Sequence, residues 1–182
     1  HNPERTAFMR ARIEILREDE PNARLAHRWV PYHLISTHLK RAVVAAEDDK
    51  FTGHSGFDWE AMRKAHERNV KEGEIVSGAS TISQQLAKNL FLPSERVWWR
   101  KAQEAAITVM LETVLTKSRI LEIYLNVIEW GDGVYGAEAA ARYHFGVPAA
   151  ALSPIQAARL AAMLPSPRSY TPRSDTLYLQ QR

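Results

Sequence analysis

Cysteine is absent from all 182 residues. That excludes disulfide scaffolds, thiolate metal sites and cysteine nucleophiles. Long apolar runs are absent too. No segment approaches the ~18–20 consecutive apolar residues that a membrane-spanning helix needs. The longest uncharged stretch, around residues 145–158, is too short and contains Gly146, Pro148 and Pro154. Glycine and proline are sparse, at 8 and 9 residues, which excludes a collagen-like or linker-like chain. Neither charge sign dominates: 24 Lys+Arg against 21 Asp+Glu leave a net charge of +3. This small excess permits an anionic partner without demanding one. The apolar/polar alternation of half-buried strands is scarce, and no internal repeat, low-complexity segment or signal peptide is evident.

The composition that is present, 45% hydrophobic and 25% charged, is that of a globular domain and excludes intrinsic disorder. The length predicts one domain spanning 1–182. Helical spacing is common. A helix is predicted from Thr6 to about Glu18, with Phe8, Met9, Ile13 and Leu16 on one face, followed by a connector from Pro21 to Pro31 that packs Trp29 and Val30. From His33 to Asp49, Ile35, Leu39, Ala42, Val43 and Ala46 share a helical face. Asp58 is placed to cap a helix from Trp59 to Lys71. Thr81 with Gln84 makes a capping-box pattern for a helix reaching Leu92. A long helix from Val97 to Leu115 is apolar nearly all round in its second half, which predicts a central, buried element. Thr116 or Ser118 caps the next helix; Gly131, Gly133 and Gly136 predict a loop. A short helix spans Ala137–Phe145, and Ser153-Pro154-Ile155-Gln156 is a strong helix start. The fold class is mainly α.

Three features carry chemistry. Glu47 lies at the edge of an apolar helical face, in the last turn, beside Asp48 and Asp49. Partial desolvation, the negative helix end and the like charges all favour its protonated form, which suits a general base. The plain alternative is a solvated acidic helix end. Glu104 falls within the stripe of Arg100, Ile107 and Leu111, with Arg100 and Lys101 one turn back; the alternative is an exposed Arg–Glu helix pair. Residues 78–89 (Gly-Ala-Ser-Thr-Ile-Ser-Gln-Gln-Leu-Ala-Lys-Asn) form a small-residue loop feeding a helix N-terminus, a usual way to hold an anion. Ser83, Gln84, Gln85 and Lys88 add polar groups, and Lys88, Arg96, Arg100 and Lys101 make a basic cluster beside the two glutamates. Trp98 and Trp99 within it suit core packing or a membrane interface. His54 is assigned a loop hydrogen bond.

These motifs occur in an order that resembles the family 51 peptidoglycan glycosyltransferases, in particular the monofunctional biosynthetic type of Gram-negative bacteria. Five segments carry the resemblance across residues 6–172. They are Glu47-Asp48-x-x-Phe51-x-x-His54-x-Gly56; Gly78-x-Ser80-Thr81-Ile82-x-Gln84-Gln85-Leu86-x-Lys88-Asn89; Arg100-Lys101-x-x-Glu104; Lys117-x-x-Ile120-Leu121-Glu122-x-Tyr124-Leu125-Asn126; and residues 152–172. Ser83, His144 and Gln156 depart from the commonest family residues, and none of them alters the two glutamates.

The resemblance implies a two-lobed, lysozyme-like domain with the site in the cleft between lobes. It implies polymerisation of lipid II into a β-1,4 glycan with release of undecaprenyl pyrophosphate, by a single inverting displacement. Glu47 is then the base, and Lys88, Arg96, Arg100 and Lys101 stabilise the leaving pyrophosphate, with Ser80 and Gln85 as donors. Glu104 either orients these cations or holds a divalent metal, Mg or Mn. The partners implied are lipid II, the growing lipid-linked glycan chain, the membrane surface and other cell-wall synthesis proteins, with no nucleic acid. The location implied is the bacterial inner membrane, facing the periplasm. Family members of this type carry a membrane helix just before the position where this chain begins, so removal of an anchor is expected. Phe8, Leu90, Phe91, Leu92, Trp98 and Trp99 are candidates for dipping into the bilayer. Two rival classes are a peptidoglycan-cleaving lysozyme-like enzyme, which needs no pyrophosphate site, and a non-catalytic binder of nucleic acid or anionic lipid.

Overall fold

A computed structural model describes residues 1–73, 78–92 and 99–172. Among these, eight α-helices surround one hydrophobic core: α1 (Ala7–Asp19), α2 (Thr37–Glu47), α3 (Trp59–Glu72), α4 (Ile82–Phe91), α5 (Arg100–Val114), α6 (Lys117–Val127), α7 (Ala137–Phe145) and α8 (Pro154–Met163). The mainly helical architecture matches the fold class expected from the sequence. Local chemistry sets most helix starts. Thr6 accepts from the Met9 N–H, Asp58 from Ala61, and Thr116 from Arg119, so each cap satisfies a donor that the first turn leaves open. Thr81 and Ser153 form full capping boxes with Gln84 and Gln156.

The core is assembled from every part of the chain, including Met9, Leu39, Val43, Phe51, Leu86, Ile120, Tyr124, Trp130 and Leu160. Helix α4 packs against α5, α6 and α1, and α2 against α8. Hydrogen bonds from Ile82 and Gln85 hold the C-terminal end of α2 beside the N-terminal half of α4, where the site lies.

Three expectations are corrected. The helical pattern predicted from His33 divides in two. A 3-10 turn covers Tyr32–Leu34, and Ser36 then caps α2 through the His38 N–H. Ile35 lies between the two and still buries. The predicted glycine loop contains a sheet. Strands β2 (Glu129–Gly131) and β3 (Val134–Tyr135) pair antiparallel, and β1 (Ala26–His27), inside the predicted connector, pairs parallel to β3. Strands this short show no alternation in sequence. Gly136 ends the sheet at φ +84, where a Cβ would stand 2.6 Å from the Asn126 carbonyl oxygen.

The third correction concerns α5, which is not buried all round. Glu104, Thr108 and Leu111 form its buried face, while Val109, Met110 and Val114 are 52%, 57% and 73% exposed. Its apolar residues serve two faces, one toward the core and one outward. The predicted start of this helix at Val97 lies outside the described residues.

Candidate active site

Glu47 is the last residue of α2, half-buried, and the chain turns away at Asp48. Asp48 is not part of a solvated acidic end. It is buried, and its two carboxylate oxygens each hold a different segment. Oδ1 accepts from His54 Nε2 at 2.8 Å, and Oδ2 accepts from the Ile82 N–H at 3.0 Å. The His54 Nδ1 accepts from the Gly56 N–H, so the ring proton sits on Nε2, facing Asp48. The loop hydrogen bond expected of His54 is therefore present, with a carboxylate as partner. Gly56 at φ +93 approaches α5 closely, its Cβ position lying 2.8 Å from Thr108 Cγ2. Its carbonyl accepts from the Thr81 hydroxyl at 2.6 Å. The segment from Phe51 to Gly56 thus braces the start of α4 against the end of α2.

This brace changes the meaning of the helix N-terminus. The expectation was that open N–H groups of α4 meet an anion. Instead the Ile82 N–H is taken by Asp48 and the Gln84 N–H by Thr81. The polar run also divides. Ser83 is fully buried and donates to Glu112, which also accepts from Lys117 at 2.7 Å. Gln84 closes the capping box. Gln85 and Lys88 are left to act in the site.

Gln85 reaches across to α2. Its Nε2 donates to Glu47 Oε2 at 2.9 Å, so its amide nitrogen lies at the base candidate. Its Oε1 accepts from the Tyr124 hydroxyl of α6 at 2.9 Å. Tyr124 is 1% exposed, and burial, with the charges of Glu47 and Asp48, pushes its pKa well up, so the phenol stays protonated and donates. Periodicity identifies Tyr124 only as a core residue; nothing in the spacing points to this contact. A cavity of about 210 Å³ opens beside Glu47, lined by Asp48, Asp49, Asp58 and residues 78–81. Ser80 is exposed at this cavity.

One turn beyond Gln85, Lys88 begins the cationic end. Burial lowers its pKa; the Glu104 carboxylate opposes this, and the charges of Arg100 and Lys101 add to it. Glu104 is only 5% exposed and accepts from Lys101 Nζ at 2.5 Å. It is not the exposed helix pair that was the alternative reading. Three cations therefore gather about one carboxylate, leaving an excess of positive charge suited to an oxyanion. Arg96, the fourth predicted cation, lies outside the described residues. Among the described residues, no group of three His, Cys, Asp or Glu side chains is placed to hold a metal ion.

The arrangement is a carboxylate held by a neutral amide at one end and a cluster of cations at the other. The family model described as Transglycosylase matches residues 14–182. A biosynthetic peptidoglycan transglycosylase of Azoarcus sp. (strain BH72) is 63% identical over 170 residues, covering 93% of this chain and 74% of that protein. The protein of the same name from Herminiimonas arsenicoxydans is 57% identical over 182 residues, covering 100% and 79%. That from Laribacter hongkongensis (strain HLHK9) is 60% identical, covering 100% and 80%. On this match, which runs through both ends of the site, the chain belongs to the transglycosylase family and is a glycosyltransferase of peptidoglycan synthesis.

Proposed function

We propose that this enzyme polymerises lipid II by inverting displacement with Glu47 as general base. One observation carries the reading. Gln85 engages Glu47 Oε2, while Oε1 has no hydrogen-bond partner among the described residues, and Glu47 lines a cavity large enough for part of a sugar ring. The 4-hydroxyl of the acceptor gives its proton to that oxygen as it attacks C1 of the donor muramoyl sugar. The bond from C1 to the phosphate oxygen breaks, and its electron pair leaves with undecaprenyl pyrophosphate. Attack from the face opposite the leaving group converts an α-linked donor into a β-1,4 glycan. The leaving group needs its charge stabilised more than it needs a proton, and Lys88, Arg96, Arg100 and Lys101 supply that. Glu104 holds Lys101 in place for this task. A divalent cation, Mg or Mn, would neutralise charge on the pyrophosphate when bound. Glu104 is a single carboxylate already engaged by Lys101, so such an ion would rest chiefly on substrate oxygens.

Peptidoglycan synthesis implies an extracytoplasmic enzyme, and we place it at the bacterial inner membrane facing the periplasm. An outward apolar surface supports this. Trp99, Met110 and Val114 follow one stripe of α5, and Val114 shares a groove with Phe91 and Leu90. Of the other predicted membrane residues, Leu92 is instead in the core, Phe8 is half-buried near Lys88, and Trp98 lies outside the described residues.

The test is incubation with labelled lipid II, followed by separation of polymer from monomer. Polymer is expected from this chain. Glu47→Gln should lower turnover by at least about 10²–10⁴-fold, the usual contribution of a positioned base. Wild-type turnover in Glu47→Gln would remove the base assignment, and soluble muropeptides released from sacculi would point to cleavage instead.

A further inference from the structure

We propose that Tyr124 is a positioning residue for sugar transfer, acting through Gln85 to present the Glu47 carboxylate in one orientation. The proposal rests on the assignment of Glu47 as base.

The argument starts from the symmetry of an amide. The Gln85 side chain has nearly the same shape with its oxygen and nitrogen exchanged, so packing alone does not decide which end faces Glu47. Chemistry decides it. With Nε2 toward Glu47, a donor meets a carboxylate at 2.9 Å; with Oε1 there, two lone-pair-bearing oxygens meet. The far end sees Tyr124, whose hydroxyl lies 2.9 Å from Oε1. That hydroxyl is buried beside the charges of Glu47 and Asp48, and its one hydrogen bond among the described residues is to Gln85. Donation from Tyr124 therefore locks the oxygen end of the amide, and the nitrogen end must face the carboxylate.

The elements make the lock rigid. Tyr124 lies on α6, Gln85 on α4 and Glu47 on α2, so the relay crosses three helices through the core. Its function is geometric: fixing Oε2 limits the rotation of the carboxylate that lines the cavity where the attacking hydroxyl must arrive. Without the phenol hydroxyl, Gln85 Oε1 loses its partner, the amide is held from its nitrogen end alone, and the carboxylate it orients samples a wider range of rotations.

The test is steady-state kinetics on lipid II with Tyr124→Phe, Gln85→Met and the double variant, alongside Glu47→Gln. Tyr124→Phe should lower kcat about tenfold and leave KM for lipid II within about twofold, a split expected when only the reacting group is mispositioned. Gln85→Met keeps the side-chain length and removes both ends of the relay, so it should lower kcat at least as much. It also tests the relay from the other side if Tyr124→Phe does not fold. The double variant should be no worse than Gln85→Met, because the hydroxyl then has nothing to position. Unchanged kcat in Tyr124→Phe, with Glu47→Gln inactive, overturns the relay and leaves the base assignment standing. Multiplying losses in the double variant also overturn it, since a merely structural tyrosine acts independently of Gln85. Retained turnover in Glu47→Gln overturns the base assignment and the relay together.

Discussion

At the scale of single residues, the site keeps groups where solvent would not. Lys88 is the clearest case. Its folded pKa is held below the ordinary lysine value, chiefly by burial and then by Arg100 and Lys101, with Glu104 opposing. Between that lowered value and the ordinary one, the unfolded chain binds more protons than the folded chain. Stability therefore rises with pH across that window, and the cost of the half-buried cation is fully present below it. Lys88→Met removes the charge and should raise Tm at neutral pH, as scanning calorimetry will read. The same change should cut polymerisation by about 10²–10³-fold if the cation stabilises the leaving oxyanion. An unchanged rate would refute the pyrophosphate role, and a lowered Tm would refute the burial argument. The glutamates differ in how far sequence reveals them. Both stand out as acids on part-apolar helical faces, but the identity of their partners does not. The resemblance implies Gln85 as a donor beside the cations, and its amide nitrogen turns toward Glu47.

At the scale of elements, the site depends on the brace that joins α2, the segment after it and α4. Asp48 holds the His54 ring and the Ile82 N–H at once. Asp48→Ala leaves two donors without their partner, each costing about 1–3 kcal/mol when buried, so a loss of about 2–6 kcal/mol is expected. Urea unfolding measures it; a loss below 1 kcal/mol would show that the brace is dispensable. Turnover should fall as well, because α4 carries Gln85 and Lys88. Several helix starts were legible because capping is local: Asp58, Thr81, Thr116 and Ser153 each act within three residues. The brace was not legible, because Asp48 and Ile82 meet only after the chain between them has folded back. The short strands escaped for a similar reason, since β1 finds its partner β3 on the far side of the chain.

At the scale of the whole molecule, the outward face of α5 and the end of α4 give the enzyme an apolar side. Phe91, Met110 and Val114 are all more than half exposed. Replacing Met110 or Val114 by Asp forfeits about 1.5–3 kcal/mol of apolar transfer, more than tenfold in membrane affinity. Co-sedimentation with phospholipid vesicles should fall accordingly, while Tm stays within about 2 °C because no core contact is removed. Equal sedimentation of wild type and variants would dismiss this face as the membrane contact. The sequence alone was enough for the helical class, several of the helix caps, the order of the five motifs and the types of side chain that the chemistry requires. The first two follow from periodicity and short-range hydrogen bonding, and the last two from the family resemblance. Tertiary packing assigned the partners: Asp48 to His54 and Ile82, Gln85 to Glu47, Tyr124 to Gln85. It also divided the apolar residues of α5 between core and surface. The physical reason is that burial and hydrogen-bond pairing are properties of helices brought together, and periodicity along one helix cannot say which of its two apolar faces another helix will cover.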